Sequence, residues 1–103
     1  MKKRMATTAL VLGMLCLGSA AWAAEPIDTR TRLLAANCAY CHGPDGKSRG
    51  AIPSLAGLEK GYFIQQMKDF KSGTRPATVM HQHAGGYTDE EVEKLAAWFA
   101  AVK

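Results

Sequence analysis

Residues 37–43 read NCAYCHG and place two cysteines three positions apart, with a histidine directly after the second. On a helix, residues three apart are neighbours on one side, so both thiols can reach one flat molecule. C-x-x-C-H is the spacing for covalent attachment of a c-type haem, in which the thiols bind the two vinyl groups and the histidine binds the iron. The motif predicts Cys38 and Cys41 as attachment sites and His42 as the proximal iron ligand.

A C-x-x-C pair also occurs in thioredoxin-like redox sites, in zinc sites and in disulfides. None of these requires a histidine directly after the second cysteine. A thioredoxin-like motif is expected in a βαβ pattern, which this chain lacks, and a zinc site needs further ligands at suitable spacing. The other histidines, His81 and His83, are too close together for the usual H-x(3–5)-H, and the only other cysteine is Cys16. Haem attachment is therefore favoured.

Residues 1–23 have the features of a cleaved secretory signal peptide. Basic residues at 2–4 precede an apolar run over 5–17, and an A-x-A sequence ends at Ala23. We expect cleavage after Ala23, delivery to the periplasm and no membrane attachment of the mature protein. The alternative is a retained membrane anchor, because the apolar segment is about long enough to span a bilayer. Cys16 lies in this run and is expected to have no function.

The charge of the mature chain gives no reason to expect nucleic-acid binding. The 103 residues contain 13 Lys and Arg against 9 Asp and Glu, and removal of residues 1–23 takes away three basic residues, which leaves 10 against 9. Two haem propionates would make the mature protein slightly anionic. Residues 24–103 are enough for one domain but close to the size at which a core needs a covalent or metal staple, which a bound haem supplies.

The mature chain is predicted to be all-α, with short helices joined by turns. Asp28 offers an N-cap for a first helix that begins at Thr29 and continues into the haem motif. Its apolar side is predicted from Leu33, Leu34, Ala36 and Asn37. Gly, Pro and Asp at residues 43–46 predict a turn directly after His42.

Two further helices are predicted after this turn. Residues 60–71 keep the spacing of one buried face and end at Ser72-Gly73, which resembles a helix C-cap. Residues 74–86 are predicted to be a loop that contains at most one short helical turn. Thr88 and Glu91 form a capping box for the last helix. The apolar stripe of that helix is Val92, Leu95, Ala96, Phe99 and Val102.

The second axial position of the iron has several candidate ligands in the sequence, and water or no ligand is a further alternative. Met67 lies among aromatic residues on a helical face, where a core methionine is expected. Met80 lies in the loop between two helices, and a thioether favours ferrous iron and suits an electron carrier. His81 and His83 would give a lower reduction potential, although solvated loop histidines are expected there. Position alone does not separate them from Met80.

Several stretches resemble the small bacterial class I cytochromes c: CxxCHGxxG at 38–46, PSL at 53–55, FKSG at 70–73, TVM at 78–80 and GGYTDEE at 85–91. The resemblance implies a cytochrome c fold, with three to five short helices around one covalently bound haem c. It implies Met80 as the sixth iron ligand. It also implies that the Pro53 carbonyl accepts a hydrogen bond from Nδ1–H of His42, and that the first and last helices meet, with residues 33–36 near residues 98–99.

Within that family, FKSG, TVM and GGYTDEE are most similar to the cytochrome subunits of flavocytochrome c sulfide dehydrogenases. The resemblance implies a periplasmic monohaem carrier that accepts single electrons from a flavoprotein subunit and is not itself an enzyme, with no catalytic residues of its own. One alternative is a free soluble carrier between respiratory or photosynthetic complexes. Another is a haem protein with an open sixth position and a peroxidase-like or sensing role.

Overall fold

A computed structural model describes residues 28–103, and the predicted signal peptide with its cleavage site lies outside this range. The described residues form four α-helices, α1 (Thr29–His42), α2 (Lys60–Ser72), α3 (Met80–Gly85) and α4 (Asp89–Ala100), and a 3₁₀ turn (Pro44–Gly46). They contain no strand, which confirms the all-α prediction. No helix in this range has the length and apolar character needed to cross a bilayer.

The predicted starts of α1 and α4 are confirmed by their caps. Asp28 Oδ1 accepts hydrogen bonds from the backbone N–H groups of Arg30 at 3.1 Å and Thr31 at 3.4 Å. Thr88 Oγ1 accepts from the Glu91 N–H at 3.1 Å, and the Glu91 carboxylate accepts from the Thr88 N–H at 3.0 Å. Both carboxylates thus satisfy donors that the first turn of a helix leaves free.

The start of α2 uses a cap that the sequence pattern did not predict. Glu59 accepts from the N–H of Gly61 at 2.8 Å and from that of Tyr62 at 2.7 Å. Glutamate is not among the preferred N-cap residues, so propensity gave no signal here. The end of α2 at Ser72, with Gly73 as its cap, is confirmed. The predicted helical turn before α4 is the six-residue helix α3.

The core is centred on α4. Leu95 and Ala96 are completely buried and Phe99 nearly so, with Val92 beside them, which confirms this part of the predicted stripe. The helix ends before the fifth predicted member of the stripe, Val102, which is only half-buried. The other core side chains are Ala35 of α1, Phe63 and Met67 of α2, and Ala84 of α3. The rings of Phe63 and Phe99 stack with their centroids 5.9 Å apart.

The predicted apolar side of α1 is wrong in part. Leu33 is 64% exposed, and Ala36 and Asn37 also face solvent. The buried side instead carries Thr31 and Ala35, with Leu34 and Cys38 half-buried. The small Ala35 side chain lets α1 approach α4 closely. Thr31 can enter this side because its hydroxyl donates to Asp28 Oδ2 at 2.6 Å, so its polar group is satisfied.

The predicted meeting of the first and last helices is confirmed. Ala35 and Phe99 belong to one core cluster, with Leu34 and Trp98 packed against it. Ion pairs join the same two helices at the surface. Arg30 forms a salt bridge with Glu91, and Lys94 Nζ lies 3.4 Å from Asp28 Oδ2. The haem motif therefore lies on a helix that is fixed to the centre of the core.

Candidate haem site

The C-x-x-C-H motif occupies the last turn of α1. Cys38 is half-buried against the core and Cys41 is exposed, and neither forms a disulfide within residues 28–103. Burial raises the pKa of the Cys38 thiol, and the Tyr87 hydroxyl beside it acts in the opposite direction. His42, the last residue of α1, is only 8% exposed. Two free thiols and a sheltered imidazole thus lie within one turn of helix.

The His42 ring is held by Pro53, as expected from the family resemblance. Nδ1 of His42 lies 2.6 Å from the Pro53 carbonyl oxygen. A carbonyl can only accept a hydrogen bond, so Nδ1 must carry the proton. This is the only hydrogen bond of the ring to the rest of residues 28–103, and it leaves Nε2 free. A neutral imidazole in this tautomer presents the Nε2 lone pair to a metal.

The chain turns sharply after His42, and glycine makes this possible. Gly43 has a φ of +92°, and a Cβ at this position would lie 2.2 Å from the Lys47 carbonyl oxygen. No other residue type fits such a position without displacing the backbone. The chain then returns because the Gly46 carbonyl accepts from the N–H groups of Leu55 at 2.7 Å and Ala56 at 3.1 Å. These bonds bring Pro53 back to His42.

The candidates for the second axial position have different surroundings. Met67 is buried in the core, as predicted for a packing residue, and both His81 and His83 are exposed. Met80 is half-buried and packs against the core. Ala84, one turn later on α3, is completely enclosed and so fixes which side of this short helix faces inward. Met80 lies one turn before Ala84 and is half-buried, whereas His81 and His83 are both exposed.

One contact that supports the segment after α3 had no signal in the sequence. Lys71 Nζ donates to the backbone carbonyl of Tyr87 at 2.7 Å and lies 3.6 Å from Asp89 Oδ1. Lys71 belongs to α2, so its partners are far from it along the chain. Tyr87 itself is half-buried and packs against the core. Desolvation raises the pKa of its hydroxyl, and the neighbouring Cys38 acts in the same direction.

These side chains fit a haem better than they fit the alternatives. Two free thiols, an imidazole with a free Nε2 and a half-buried thioether are the soft and borderline donors that haem attachment and ligation use. Residues 28–103 contain no group of three His, Cys, Asp or Glu side chains placed to hold a metal ion. Ile52, Tyr62 and Val79 are apolar side chains that remain about half exposed.

Comparison with known sequences agrees with this geometry. A sequence model of the cytochrome c family matches residues 30–103, so the chain belongs to the cytochrome c family. It is 44% identical over 78 residues to the cytochrome subunit of sulfide dehydrogenase from Chlorobaculum tepidum, a match that covers 75% of this chain and 71% of the subunit. It is 40% identical to the thiosulfate dehydrogenase electron acceptor of Stutzerimonas stutzeri over 63% of this chain and 31% of that protein.

A solved structure agrees with the fold. Cytochrome c4 of Acidithiobacillus ferrooxidans superimposes with a TM-score of 0.61 and 42% identity over 63% of this chain and 38% of the cytochrome c4 chain. The matches thus span less than two fifths of this cytochrome c4 and of the Stutzerimonas stutzeri acceptor. The small cytochrome c fold is confirmed. The cofactor is covalently attached haem c, and the chain is an electron-transfer protein rather than an enzyme by itself.

Proposed function

We propose that this chain is a periplasmic monohaem cytochrome that passes single electrons through an iron ligated by His42 and Met80. Cys38 and Cys41 would form the two thioether bonds. The observation that carries the ligand assignment is the pairing of His42 Nδ1 with the Pro53 carbonyl at 2.6 Å, which leaves Nε2 free for iron. The half-buried, inward side of α3 supports Met80 over the exposed His81 and His83.

When bound, the haem supplies a one-electron couple between ferric and ferrous iron. His42 and Met80 would fill both axial positions in both oxidation states, so little needs to rearrange on electron transfer. Pro53 fixes the orientation of the His42 ring and increases the basicity of Nε2 by accepting the Nδ1 proton in a hydrogen bond. A filled ligand set argues against the open-site alternative, because peroxidase or sensor chemistry needs a vacant position.

The electron donor is proposed to be a flavoprotein sulfide dehydrogenase subunit. The 44% identity to the cytochrome subunit of sulfide dehydrogenase, over 71% of that subunit, supports this partner. A second candidate, the free soluble carrier, is supported by the 40% identity to a thiosulfate dehydrogenase electron acceptor. Both candidates need the same ligand set and differ only in what the carrier binds.

The ligand assignment is tested by expressing the full chain with a haem maturation system and recording ferric and ferrous spectra of the periplasmic product. We expect a low-spin spectrum with the ferric methionine-to-iron band near the red edge of the visible range. Intact mass should correspond to one haem on a chain that begins at Ala24. A high-spin ferric spectrum would instead support the open-site alternative, and a retained leader would refute the predicted cleavage.

The partner is tested by purifying the untagged protein from its native source and following haem absorbance. Co-elution with a flavoprotein through ion exchange and gel filtration, with haem reduction on addition of sulfide, is expected for a dedicated subunit. Elution as a monomeric haem protein, without a flavoprotein and without haem reduction on addition of sulfide, would support the free carrier.

A further inference from the structure

We propose that Ser54 is a positioning residue for His42: its side chain holds the Pro53 carbonyl against the imidazole and thereby tunes the reduction potential. Ser54 Oγ accepts a hydrogen bond from the Ser48 backbone N–H at 2.9 Å. The residue before it supplies the carbonyl that lies 2.6 Å from His42 Nδ1. Ser54 is itself exposed, and within residues 28–103 the hydrogen bond of the imidazole goes to Pro53 and not to the Ser54 side chain.

The argument concerns the peptide unit between Pro53 and Ser54, which carries the carbonyl that His42 uses. This planar unit can turn only through ψ of Pro53 and φ of Ser54, because the proline ring already fixes its own φ. On the carboxyl side, the Leu55 N–H donates to the Gly46 carbonyl at 2.7 Å. The bond from Ser48 to the Ser54 hydroxyl adds a second restraint on the same residue. Together they fix the direction of the Pro53 carbonyl.

The amino-terminal arm of this loop depends on the same bond. Within residues 28–103, residues 49–53 make no backbone-to-backbone hydrogen bond outside helices. Apart from the bond of the Pro53 carbonyl, the hydrogen bonds of this stretch to residues 28–103 join Gly50 to the Ser48 side chain, at 3.2 and 3.4 Å. The Ser54 hydroxyl therefore joins the two ends of the loop at Ser48. Without it, the only hydrogen bonds left at the amino-terminal end of this arm are the two longer ones between Gly50 and the Ser48 side chain, which do not involve Pro53 or Ser54.

The consequence for the haem rests on the proposed ligation by His42. A hydrogen bond from Nδ1–H gives the ring partial imidazolate character, which makes Nε2 a stronger donor and stabilises ferric iron. If the carbonyl is less well aligned, the ring donates less electron density to iron. Loss of the Ser54 hydroxyl is therefore expected to raise the reduction potential, although it removes no atom from the ligand set.

The test compares three variants of the full-length holoprotein. Ser54→Ala removes the acceptor, whereas Ser54→Thr keeps a hydroxyl that can accept from Ser48 and should rescue. Ser48→Ala is the matched control, because it removes the Ser48 hydroxyl but keeps the backbone N–H donor. The measurements are the reduction potential by spectroelectrochemistry and the solvent exchange of the His42 Nδ1 proton by NMR of the ferrous protein.

We expect Ser54→Ala to raise the potential and to speed exchange about twofold to fivefold, in line with loss of one exposed hydrogen bond. Ser54→Thr and Ser48→Ala should match the wild type in both measurements. The inference is overturned if Ser54→Ala keeps the wild-type reduction potential and exchange rate. It is also overturned if Ser48→Ala changes both quantities as much as Ser54→Ala does. Failure of the proposed function is distinguishable, because the wild-type protein would then lack the low-spin spectrum expected for His42 and Met80.

Discussion

The two segments that supply the proposed iron ligands, the His42 segment (residues 29–56) and the Met80 segment (residues 80–87), are built differently. His42 ends a 14-residue helix that Asp28 caps, its ring is buried, and Nδ1 is bonded to Pro53 at 2.6 Å. Met80 begins a six-residue helix whose amino end has no side-chain cap. The ring of His42 is thus oriented by bonds of its own, whereas the direction of Met80 depends on the burial of Ala84.

This difference indicates which ligand the fold can release. A helix as short as α3 has little stability of its own, so its position comes from packing and from the contact of Lys71 with the Tyr87 carbonyl. Segments with few buried contacts open locally at lower free energy than core helices. We therefore expect the Met80 segment to detach from iron under conditions in which the His42 segment still holds.

The largest effect is expected from removing the covalent links, all of which belong to the His42 segment. In the double variant Cys38→Ala and Cys41→Ala, no thioether can form. We expect complete loss of covalently bound haem. The measurement is extraction with acidified organic solvent, which should remove all haem from the double variant and leave it on the wild-type protein. Each single variant should retain one link and a weaker attachment. Normal covalent haem content in the double variant would contradict the assignment of the motif.

The next largest effect is expected on the other segment. Met80→Ala should leave the haem attached but abolish the ferric methionine-to-iron band. It should also lower the reduction potential by on the order of tenths of a volt, because axial ligands set haem potentials over about 0.8 V. Absorption spectra and redox titration measure both changes.

Two kinds of control separate ligation from packing in this experiment. Met67→Leu keeps a buried apolar side chain of similar size in the core, so the band should remain and stability should change by less than about 1.5 kcal/mol. His81→Ala and His83→Ala alter exposed side chains and should leave the spectrum unchanged. Persistence of the band in Met80→Ala together with its loss in Met67→Leu would assign the ligand to α2 instead.

A smaller effect is expected where the His42 segment rests on the core. A Cβ on Gly46 would lie 2.8 Å from Phe99 Cε1, and the φ of Gly46 is +75°. We expect Gly46→Ala to lower the free energy of unfolding by about 2–4 kcal/mol, from steric overlap and left-handed backbone strain. Gly50→Ala is the matched control, because a Cβ there has no neighbour within 4 Å. Denaturant unfolding of the holoprotein should leave this control within about 0.5 kcal/mol of wild type.

Features of the fold that depend on local sequence patterns could be predicted, and features that depend on contacts between distant segments could not. The caps Asp28 and Thr88, the stripe of α4 and the haem motif are local patterns, and each was predictable because interacting residues lie within one or two turns. The exposure of Leu33 could not be predicted from such a pattern. The side of α1 that is buried is decided by the packing of Ala35 against α4, which is distant in sequence. Contacts between distant segments were also hidden from composition and periodicity.

The site shows the same division. His42 follows from its motif alone, but its partner Pro53 came only from resemblance, because nothing in local spacing joins the two residues. Met80, His81 and His83 could not be separated by position, and only the burial of Ala84 gives α3 a direction. The Ser54 hydroxyl and the Lys71 amine support the two segments through bonds to Ser48 and Tyr87 that no local pattern indicates.

The smallest effect is expected from lowering the pH, which protonates the Asp28 and Glu91 carboxylates at the starts of α1 and α4. The Thr31 hydroxyl lowers the pKa of Asp28 below its ordinary value of 3.8. The Thr88 backbone N–H and then the Arg30 side chain lower the pKa of Glu91 below 4.5. A lowered carboxyl pKa adds stability that is fully present above the ordinary value and is lost as pH falls through the lowered one. Unfolding free energy should therefore decrease from about pH 4.5 downward.

Glu91→Gln isolates this contribution, because it removes the titrating charge from the capping box and from the pair with Arg30. Its stability should be lower than that of the wild type at pH 7, and the gap should narrow as the pH falls below 4.5, since the wild type then loses the same interaction. Glu93→Gln is the control, because Glu93 is exposed on the same helix and has no ion pair within residues 28–103. A gap that stays constant from pH 7 to pH 3 would contradict this assignment, because a contribution from the Glu91 charge must disappear as the carboxylate is protonated.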